Sequence, residues 1–150
     1  MALTVEGEER IAAPVEAVWS ALNDAAVLKD CIPGCQALEW ESGTELSATV
    51  VLKVGPIKAT FAGKVTLSNL DPPHSYTIEG EGKGGIAGFA RGGADVTLTP
   101  DGADATLLRY VARAETGGKI AQLGSRLLAS TSKKLAGDFF AALNRKVSAA

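Results

Sequence analysis

The amino-acid sequence predicts an α+β fold, in which a curved antiparallel sheet of about seven strands packs around one long C-terminal helix. Two observations carry this prediction. Between residues 46 and 114, apolar and polar side chains alternate in short segments separated by turns that contain Gly or Pro, which is typical of antiparallel strands with one buried face. After residue 118 there is no proline and apolar residues recur every three or four positions, which indicates a helix.

A first strand and two short helices precede the alternating segments. Residues 3–11 form a polar, acidic strand between apolar ends. Pro14 is favoured in the first turn of a helix and predicts that a helix begins there. Asn23-Asp24 interrupts this helix and can cap a second one, which ends at the Pro33-Gly34 turn.

The remaining strands form a meander. Their apolar residues occupy alternate positions within residues 46–54, 57–67, 76–80, 94–98 and 106–114. Short turns at Gly55-Pro56, Asp71-Pro72-Pro73 and Pro100-Asp101-Gly102 join successive strands in an antiparallel arrangement. Such a sheet buries one face, so we expect the long helix to cover that face.

The predicted long helix runs from Lys119 to Val147. Its 29 positions span roughly 43 Å, whereas a domain of this size has a radius of gyration of about 15 Å, so the helix must cross the whole domain. Very small residues crowd its opening turns: Gly117, Gly118, Ala121, Gly124 and Ser125. They indicate either close packing of the helix on the sheet or the roof of an apolar cavity.

Length and composition exclude several classes of protein. The 150 residues predict one domain, residues 1–150, and the net charge of −2 argues against general nucleic-acid binding. The acidic start of the chain is unlike a signal or transit peptide, and no apolar run is long enough to span a membrane. We therefore expect a cytoplasmic protein.

The sequence predicts neither a metal site nor a catalytic residue. Cys31, Cys35 and the single histidine, His74, do not make up the four ligands of a structural zinc site. We interpret the two thiols as packing groups, with a redox, metal or ligand-facing role as the alternatives. Glu79 and Glu81 share one strand face with Lys83, which favours a solvated charge row over a working acid pair.

A glycine-rich run separates two of the predicted strands. Residues 80–93 contain seven glycines, but their spacing matches neither phosphate-binding motif, and a strand follows instead of a helix. Glycine inside strands marks bulges and close approach. We interpret the run as kinks in a sheet that curves around a cavity, with Ile86 and Phe89 at its rim or wall.

The last helix is predicted to be basic. Lys119, Arg126, Lys133, Lys134, Arg145 and Lys146 stand against Asp138 alone, so six cations minus one anion leave +5. Cations near a helix C-terminus complement its dipole, which accounts for the last two. For Lys119, Arg126, Lys133 and Lys134 we weigh an ordinary solvated face against contact with anionic lipid or an acidic partner.

Four segments resemble the carbon monoxide dehydrogenase G-subunit (CoxG) family. They are residues 21–35, 53–59, 80–90 and 117–127, and the likeness runs in order through nearly the whole chain. The resemblance implies the helix-grip fold of the START-like (SRPBCC) superfamily. It also implies an accessory protein of a molybdenum-containing CO dehydrogenase or related hydroxylase, linked to membrane recruitment and to a respiratory quinone held in an apolar cavity.

The family's longer members carry a C-terminal extension that reaches the membrane, whereas this sequence ends at Ala150. Either the chain is a short form, or membrane contact relies on the basic helix face, as a peripheral contact with the inner side of the cytoplasmic membrane.

The resulting hypothesis is a carrier of a lipophilic molecule, an isoprenoid quinone, with no covalently bound cofactor. Tyr110 would donate a hydrogen bond to a quinone oxygen, and Gly118, Ala121 and Gly124 would provide clearance. The predicted cavity walls are Ile32, Leu52, Phe61, Ile78, Phe89, Leu108, Tyr110, Leu123 and Leu127.

Two alternatives stay open at this point. A polyketide-cyclase type of enzyme would need polar groups aimed into the cavity, for which Tyr76 and Tyr110 are the candidates. A ligand-free assembly or recruitment factor would have a filled core and would bind the hydroxylase without a retained molecule.

Overall fold

The computed structural model of the protein describes residues 2–148. The described residues form seven strands: β1 (Ala2–Ile11), β2 (Cys35–Trp40), β3 (Glu45–Val54), β4 (Ile57–Asp71), β5 (Ser75–Lys83), β6 (Phe89–Pro100) and β7 (Thr106–Gly117). They also form the helices α1 (Val15–Leu22), α2 (Ala25–Cys31) and α3 (Ser125–Ser148), and two 3₁₀ helices, Gly85–Ala87 and Gly118–Leu123. The predicted α+β class and the order of its elements are confirmed.

The strands build one antiparallel sheet in the order β1-β7-β6-β5-β4-β3-β2. From β2 to β7 each strand pairs with the next along the chain, as the short turns predict. The first strand pairs instead with the last, from Ala2 opposite Glu115 to Ile11 opposite Thr106. Helices α1 and α2 therefore connect the two opposite edges of the sheet.

The short helices begin close to the residues that predict them. The Asp24 side chain caps α2 by accepting hydrogen bonds from the backbone N–H groups of Ala26, at 2.9 Å, and Val27, at 3.4 Å. Pro14 is the N-cap of α1, one position before the first helical residue, so it lies just outside the turn predicted for it. Its φ of −61° leads directly into the helix.

The long helix begins later than predicted. Residues from Lys119 onward were expected to be α-helical, but Gly118–Leu123 is a separate 3₁₀ helix and α3 starts at Ser125. Gly124 has a φ of +94°, a backbone conformation that an α-helix does not contain. The remaining 24 residues span about 36 Å, and Asn144 near their end donates a hydrogen bond to the carbonyl oxygen of Arg10, at 3.0 Å.

One end of the space between sheet and helix is filled by large side chains. We call this the filled end, and its fully or almost fully buried members include Ile11, Val18, Leu22, Leu67, Tyr76, Val96, Leu98, Leu108, Phe140 and Leu143. Two ring contacts reinforce it: the Trp19 ring meets the edge of Tyr76 at 5.6 Å, and Tyr110 stacks on Phe140 at 4.1 Å.

A smaller apolar cluster closes the opposite end. This cap cluster consists of Val54, Phe61, Ala87, Ile120 and Leu128. Its members come from the β3–β4 hairpin, both 3₁₀ helices and the start of α3. A third cluster, with Leu28, Leu38 and Leu46 at its centre, joins α2 to the β2 edge.

Candidate functional site

An open space remains between the filled end and the cap cluster. This cavity has a volume of about 370 Å³ and lies between the concave face of the sheet and α3. Its size falls within the range of about 300–1,000 Å³ that small-molecule sites usually occupy. The cavity is therefore the candidate ligand site.

The floor of the cavity consists of very small residues on the inward face of the sheet. Each occupies a position where a strand would ordinarily place a large apolar side chain. They are Ala48, Gly63, Gly80, Gly82, Ala90, Gly92, Ala112 and Ala114. The missing side chains of these neighbouring strands leave the space empty.

Helix α3 supplies the roof from a single face. Ser132, Leu135, Ala136 and Phe139 line the cavity, and their spacing of three and four residues places them on one side of the helix. The Phe139 ring meets Phe140 edge-on at 4.9 Å. These two neighbouring rings separate the cavity from the filled end.

The side walls are aliphatic. Leu3 and Val5 of β1 close one side, and Val50 and Leu52 of β3 close the other. Further wall residues are Ile32, Pro33, Phe61 and Val65. An apolar molecule would bury its surface here at a gain of about 25 cal/mol per Å².

The charged residues on the lining strands direct their side chains to the outer face. Lys64 lies 3.8 Å from Glu45, and Arg113 donates a hydrogen bond to Asp95 at 2.8 Å, both at the solvent-exposed surface. Glu81 is exposed and alternates with the inward-facing Gly80 and Gly82. The part of the chain that the structure describes thus places no ionisable side chain in the cavity wall.

Three of the twelve predicted ligand-binding residues line the cavity: Ile32, Leu52 and Phe61. The other nine do not, and they fall into two groups. Ile78, Leu108 and Tyr110 face inward, as predicted, but they pack in the filled end. Along its strand, each lies one or two inward-facing positions away from the nearest cavity residue. The remaining residues are Phe89, Gly118, Ala121, Leu123, Gly124 and Leu127.

The second group was misplaced mainly because the chain leaves the helix at Gly124. Gly118, Ala121 and Leu123 consequently belong to the 3₁₀ helix at the end of the sheet and do not form a roof. Leu123 and Leu127 pack against the cap cluster. Phe89 lies on the outer face, where Arg91 sits 5.2 Å from its ring centre, and Ile86, expected at the rim, is 91% exposed.

The two tyrosines considered for catalysis do not line the cavity. The Tyr110 ring lies over Gly7, its partner on β1, which has no side chain to occupy that place. Tyr76 is buried in the filled end, where its hydroxyl has no hydrogen-bond partner among the described residues. Burial raises the pKa of Tyr76 well above its usual value, so this hydroxyl stays protonated at neutral pH.

The cysteines occupy the junction between α2 and β2. Cys31 is buried, Cys35 is half-buried, and both are free thiols. Desolvation by burial is the main reason that the pKa of each thiol is raised above its usual value. Protonated thiols are poor nucleophiles and poor metal ligands.

The four predicted contact cations are all exposed, but they do not share one helix face. Lys119 belongs to the second 3₁₀ helix, whereas Arg126, Lys133 and Lys134 belong to α3. Lys134 forms an ion pair with Asp138 at 2.6 Å. No helix within residues 2–148 is both long and apolar enough to cross a bilayer.

The lining residues that we did not predict include the inward-facing glycines and alanines of β5, β6 and β7. A signal for them exists in the sequence: Gly80, Gly82, Ala90 and Gly92 occupy alternate, inward positions of two adjacent strands. The roof residues Leu135 and Phe139 lie on the predicted apolar stripe, about two and three turns beyond Leu127, the last predicted wall residue.

Comparison with known proteins places this architecture in a family. The model of the carbon monoxide dehydrogenase G-subunit (CoxG) family matches residues 7–148. A crystal structure of a conserved protein from Geobacillus kaustophilus is 31% identical, with a TM-score of 0.90 over 98% of this chain and 96% of that one. The sequence matches none of the curated proteins at a significant level.

More distant structures share the fold. The Zhui aromatase/cyclase from Streptomyces sp. R1128 is 18% identical, with a TM-score of 0.72 over 98% of this chain and 94% of that one. A truncated norcoclaurine synthase from Thalictrum flavum is 17% identical, with a TM-score of 0.65 and the same coverage. The architecture is thus the START-like helix-grip fold.

Proposed function

Because the chain belongs to the CoxG family of carbon monoxide dehydrogenase, we propose that it is a non-catalytic accessory protein that carries a lipophilic molecule. The proposed ligand is the ring of a respiratory isoprenoid quinone, held in the cavity between the sheet and α3. The proposed partner is a molybdenum-containing CO dehydrogenase or a related hydroxylase, which the protein helps to couple to the cytoplasmic membrane.

The apolar cavity is the single observation that supports carriage of a ligand most strongly. Its floor of glycine and alanine and its aliphatic walls favour a hydrocarbon or a ring with few polar atoms. A bound apolar molecule would remove this lining from water, which favours binding.

The chemistry of the wall argues against acid–base catalysis in this cavity. A general acid or base must lie within hydrogen-bonding reach of the reacting atom. Among the inward-facing lining residues that the structure describes, Ser132 alone carries a polar side-chain group. The enzymes that share the fold are distant in sequence, so their activities do not bear on this chain.

Mass spectrometry of an organic extract tests the proposal. The native protein is purified from a quinone-containing bacterium, washed free of membranes and extracted, and quinone is quantified per chain. We expect a substantial fraction of the wild type to retain quinone. The Gly80→Val variant, whose new side chain enters the cavity, should retain several-fold less.

Gly137→Ala is the matched control, since Gly137 is exposed on α3 and a Cβ atom there meets nothing within 4 Å. Equal quinone in wild type and Gly80→Val would contradict binding in this cavity. A protein that co-purifies with the hydroxylase but yields no lipophilic molecule would support the ligand-free assembly factor.

A further inference from the structure

Three chain segments meet at the end of the molecule beyond the cap cluster. We call this surface the tip and define it as residues 53–58, 83–88 and 118–126. Val54, Ala87 and Ile120 pack together beneath it. The segments approach closely, because a Cβ atom at Gly118 would lie 2.7 Å from the Cα atom of Gly88.

The tip carries only positive charge. It contains Lys53, Lys58, Lys83, Lys119 and Arg126, all exposed. The surrounding sequence has no Asp or Glu within residues 46–70, 82–94 or 116–137, although the whole chain has 17 acidic and 15 basic residues. None of the five cations forms an ion pair with another described residue.

Folding does not require this arrangement of charges. Lys53 and Lys58 are direct partners across the β3–β4 hairpin, and like charges in that position destabilise a sheet. The repulsion would be relieved by an anionic surface in front of the hairpin. The charge pattern therefore indicates a surface that binds a partner.

An exposed isoleucine stands among these cations. Ile86 is 91% exposed, whereas isoleucine is among the residue types most often buried in proteins. It lies in the first 3₁₀ helix between Gly85, with a φ of +62°, and Gly88, with a φ of +100°. The chain therefore turns sharply on both sides of Ile86.

We propose that the tip docks on an anionic lipid surface, with Ile86 inserted among the headgroups and the five cations against the lipid phosphates. Exposed apolar and basic side chains on one surface are the combination with which amphipathic helices bind the membrane interface. An acidic protein would match the cations but would also need an apolar pocket to receive the isoleucine.

Docking in this way orients the cavity toward the bilayer. Phe61 both lines the cavity and belongs to the cap cluster, and a Cβ atom at Gly84 in the tip would lie 2.8 Å from its ring. The Phe61 ring is thus part of the apolar layer that separates the cavity from the docked surface. The inference deepens the proposed carrier function by locating its membrane contact, but docking itself does not require a ligand.

Vesicle co-sedimentation tests the proposal directly. The full chain is mixed with vesicles of phosphatidylcholine alone or of phosphatidylcholine with phosphatidylglycerol. We expect binding only to the vesicles that contain phosphatidylglycerol, with an affinity that falls as salt is raised. Ile86→Ser should weaken binding about tenfold, because the inserted apolar surface is lost.

Charge variants distinguish the tip from the rest of α3. The double variant Lys119→Gln/Arg126→Gln removes two tip cations and should weaken vesicle binding about thirtyfold, at about fivefold per cation. The control Lys133→Gln/Lys134→Gln makes the same charge change further along the helix and should weaken it less than threefold. Leu70→Ser is the control for Ile86→Ser, since Leu70 is 41% exposed and lies at the far end of β4.

Unchanged circular dichroism and thermal unfolding will show that each variant is folded, because all the substituted side chains are exposed. The proposal is overturned if the wild type does not bind phosphatidylglycerol vesicles. It is also overturned if the tip variants and their controls bind equally well. Loss of vesicle binding with normal quinone content would support the tip and leave the carrier function standing.

Discussion

The two halves of the interior are built on the same strands but contain side chains of different size. On β5, the inward positions are Tyr76 and Ile78 at the filled end and Gly80 and Gly82 at the cavity. Antiparallel pairing places the corresponding positions of β6 and β7 alongside, where the same change from large to small occurs. The inward positions of β5, β6 and β7 thus alternate regularly, and the small size of the residues at one end creates the cavity.

Helix α3 shows the same division. Phe140 and Leu143 fill one half of the interior, while Ser132 and Ala136 face the cavity. The completely buried side chains of the filled end make the close contacts that stabilise a fold, whereas the small residues of the cavity make fewer. We therefore expect the filled end to provide most of the stability.

The largest expected effect compares one leucine from each half. Leu108 is completely buried in the filled end, so Leu108→Ala leaves a new cavity and should lower the free energy of unfolding by about 4 kcal/mol. Leu135 already faces open space, and Leu135→Ala should cost only about 1 kcal/mol. Urea denaturation of both variants measures the difference, and equal losses would refute the contrast between the two halves.

Two inward glycines of the cavity floor sharpen the comparison. A Cβ atom at Gly63 would overlap the carbonyl oxygen of Glu81, so Gly63→Ala should destabilise the protein by about 3 kcal/mol. A Cβ atom at Gly80 would have its nearest neighbours at 3.7 Å, so Gly80→Val should stabilise it by about 1 kcal/mol. Thermal unfolding of both variants tests whether the two stability changes have opposite signs. A loss of stability in Gly80→Val would mean that the space beside Gly80 is already occupied.

The buried hydroxyl of Tyr76 provides a test within the filled end. Tyr76→Phe removes a polar group without a partner and should raise the free energy of unfolding by about 1 kcal/mol at neutral pH. Burial raises the pKa of Tyr76 in the folded state, so the unfolded chain ionises first, near pH 10. The wild type should then lose up to about 1.4 kcal/mol per pH unit above pH 10, and the variant should lose less. If the wild type and Tyr76→Phe lost stability equally with rising pH, the buried environment of Tyr76 would be contradicted.

The smallest effect is expected from an ion pair at the surface of the filled end. Lys146 donates a hydrogen bond to Asp30 and thereby lowers the pKa of that carboxyl group. Both side chains are largely exposed, so Lys146→Gln should change stability less than any substitution above. The stabilisation that this ion pair gives the wild type should be lost as the pH falls below about 4, where Asp30 becomes protonated. A large loss at neutral pH would show that this pair holds α2 to α3.

Periodicity predicted most of the inward-facing residues, Phe89 excepted, but not where the cavity lies. Leu108 and Tyr110 share the inward face of β7, as their alternation predicts, yet the cavity begins at Ala112. Which inward-facing residues of a strand lie beside the cavity depends on the register of that strand with its neighbours. That register comes from long-range pairing, which the local pattern does not contain.

The position of the roof depended on a single backbone conformation. An apolar repeat of three to four residues continues through residues 120–127, so the pattern favours a helix there. The positive φ of Gly124 ends that helix and turns residues 118–123 into part of the cap. Glycine permits such a conformation but does not require it, which is why the sequence alone was ambiguous at this point.

Methyl NMR of the folded protein tests the central claim most directly, because it reports on both halves at once. A soluble quinone with a single isoprene unit is titrated into the protein while leucine and valine methyl signals are followed. We predict saturable shifts at Val50, Leu52 and Leu135 and unchanged signals at Leu108 and Leu143. Shifts confined to the filled end, or none at saturating quinone, would contradict the account.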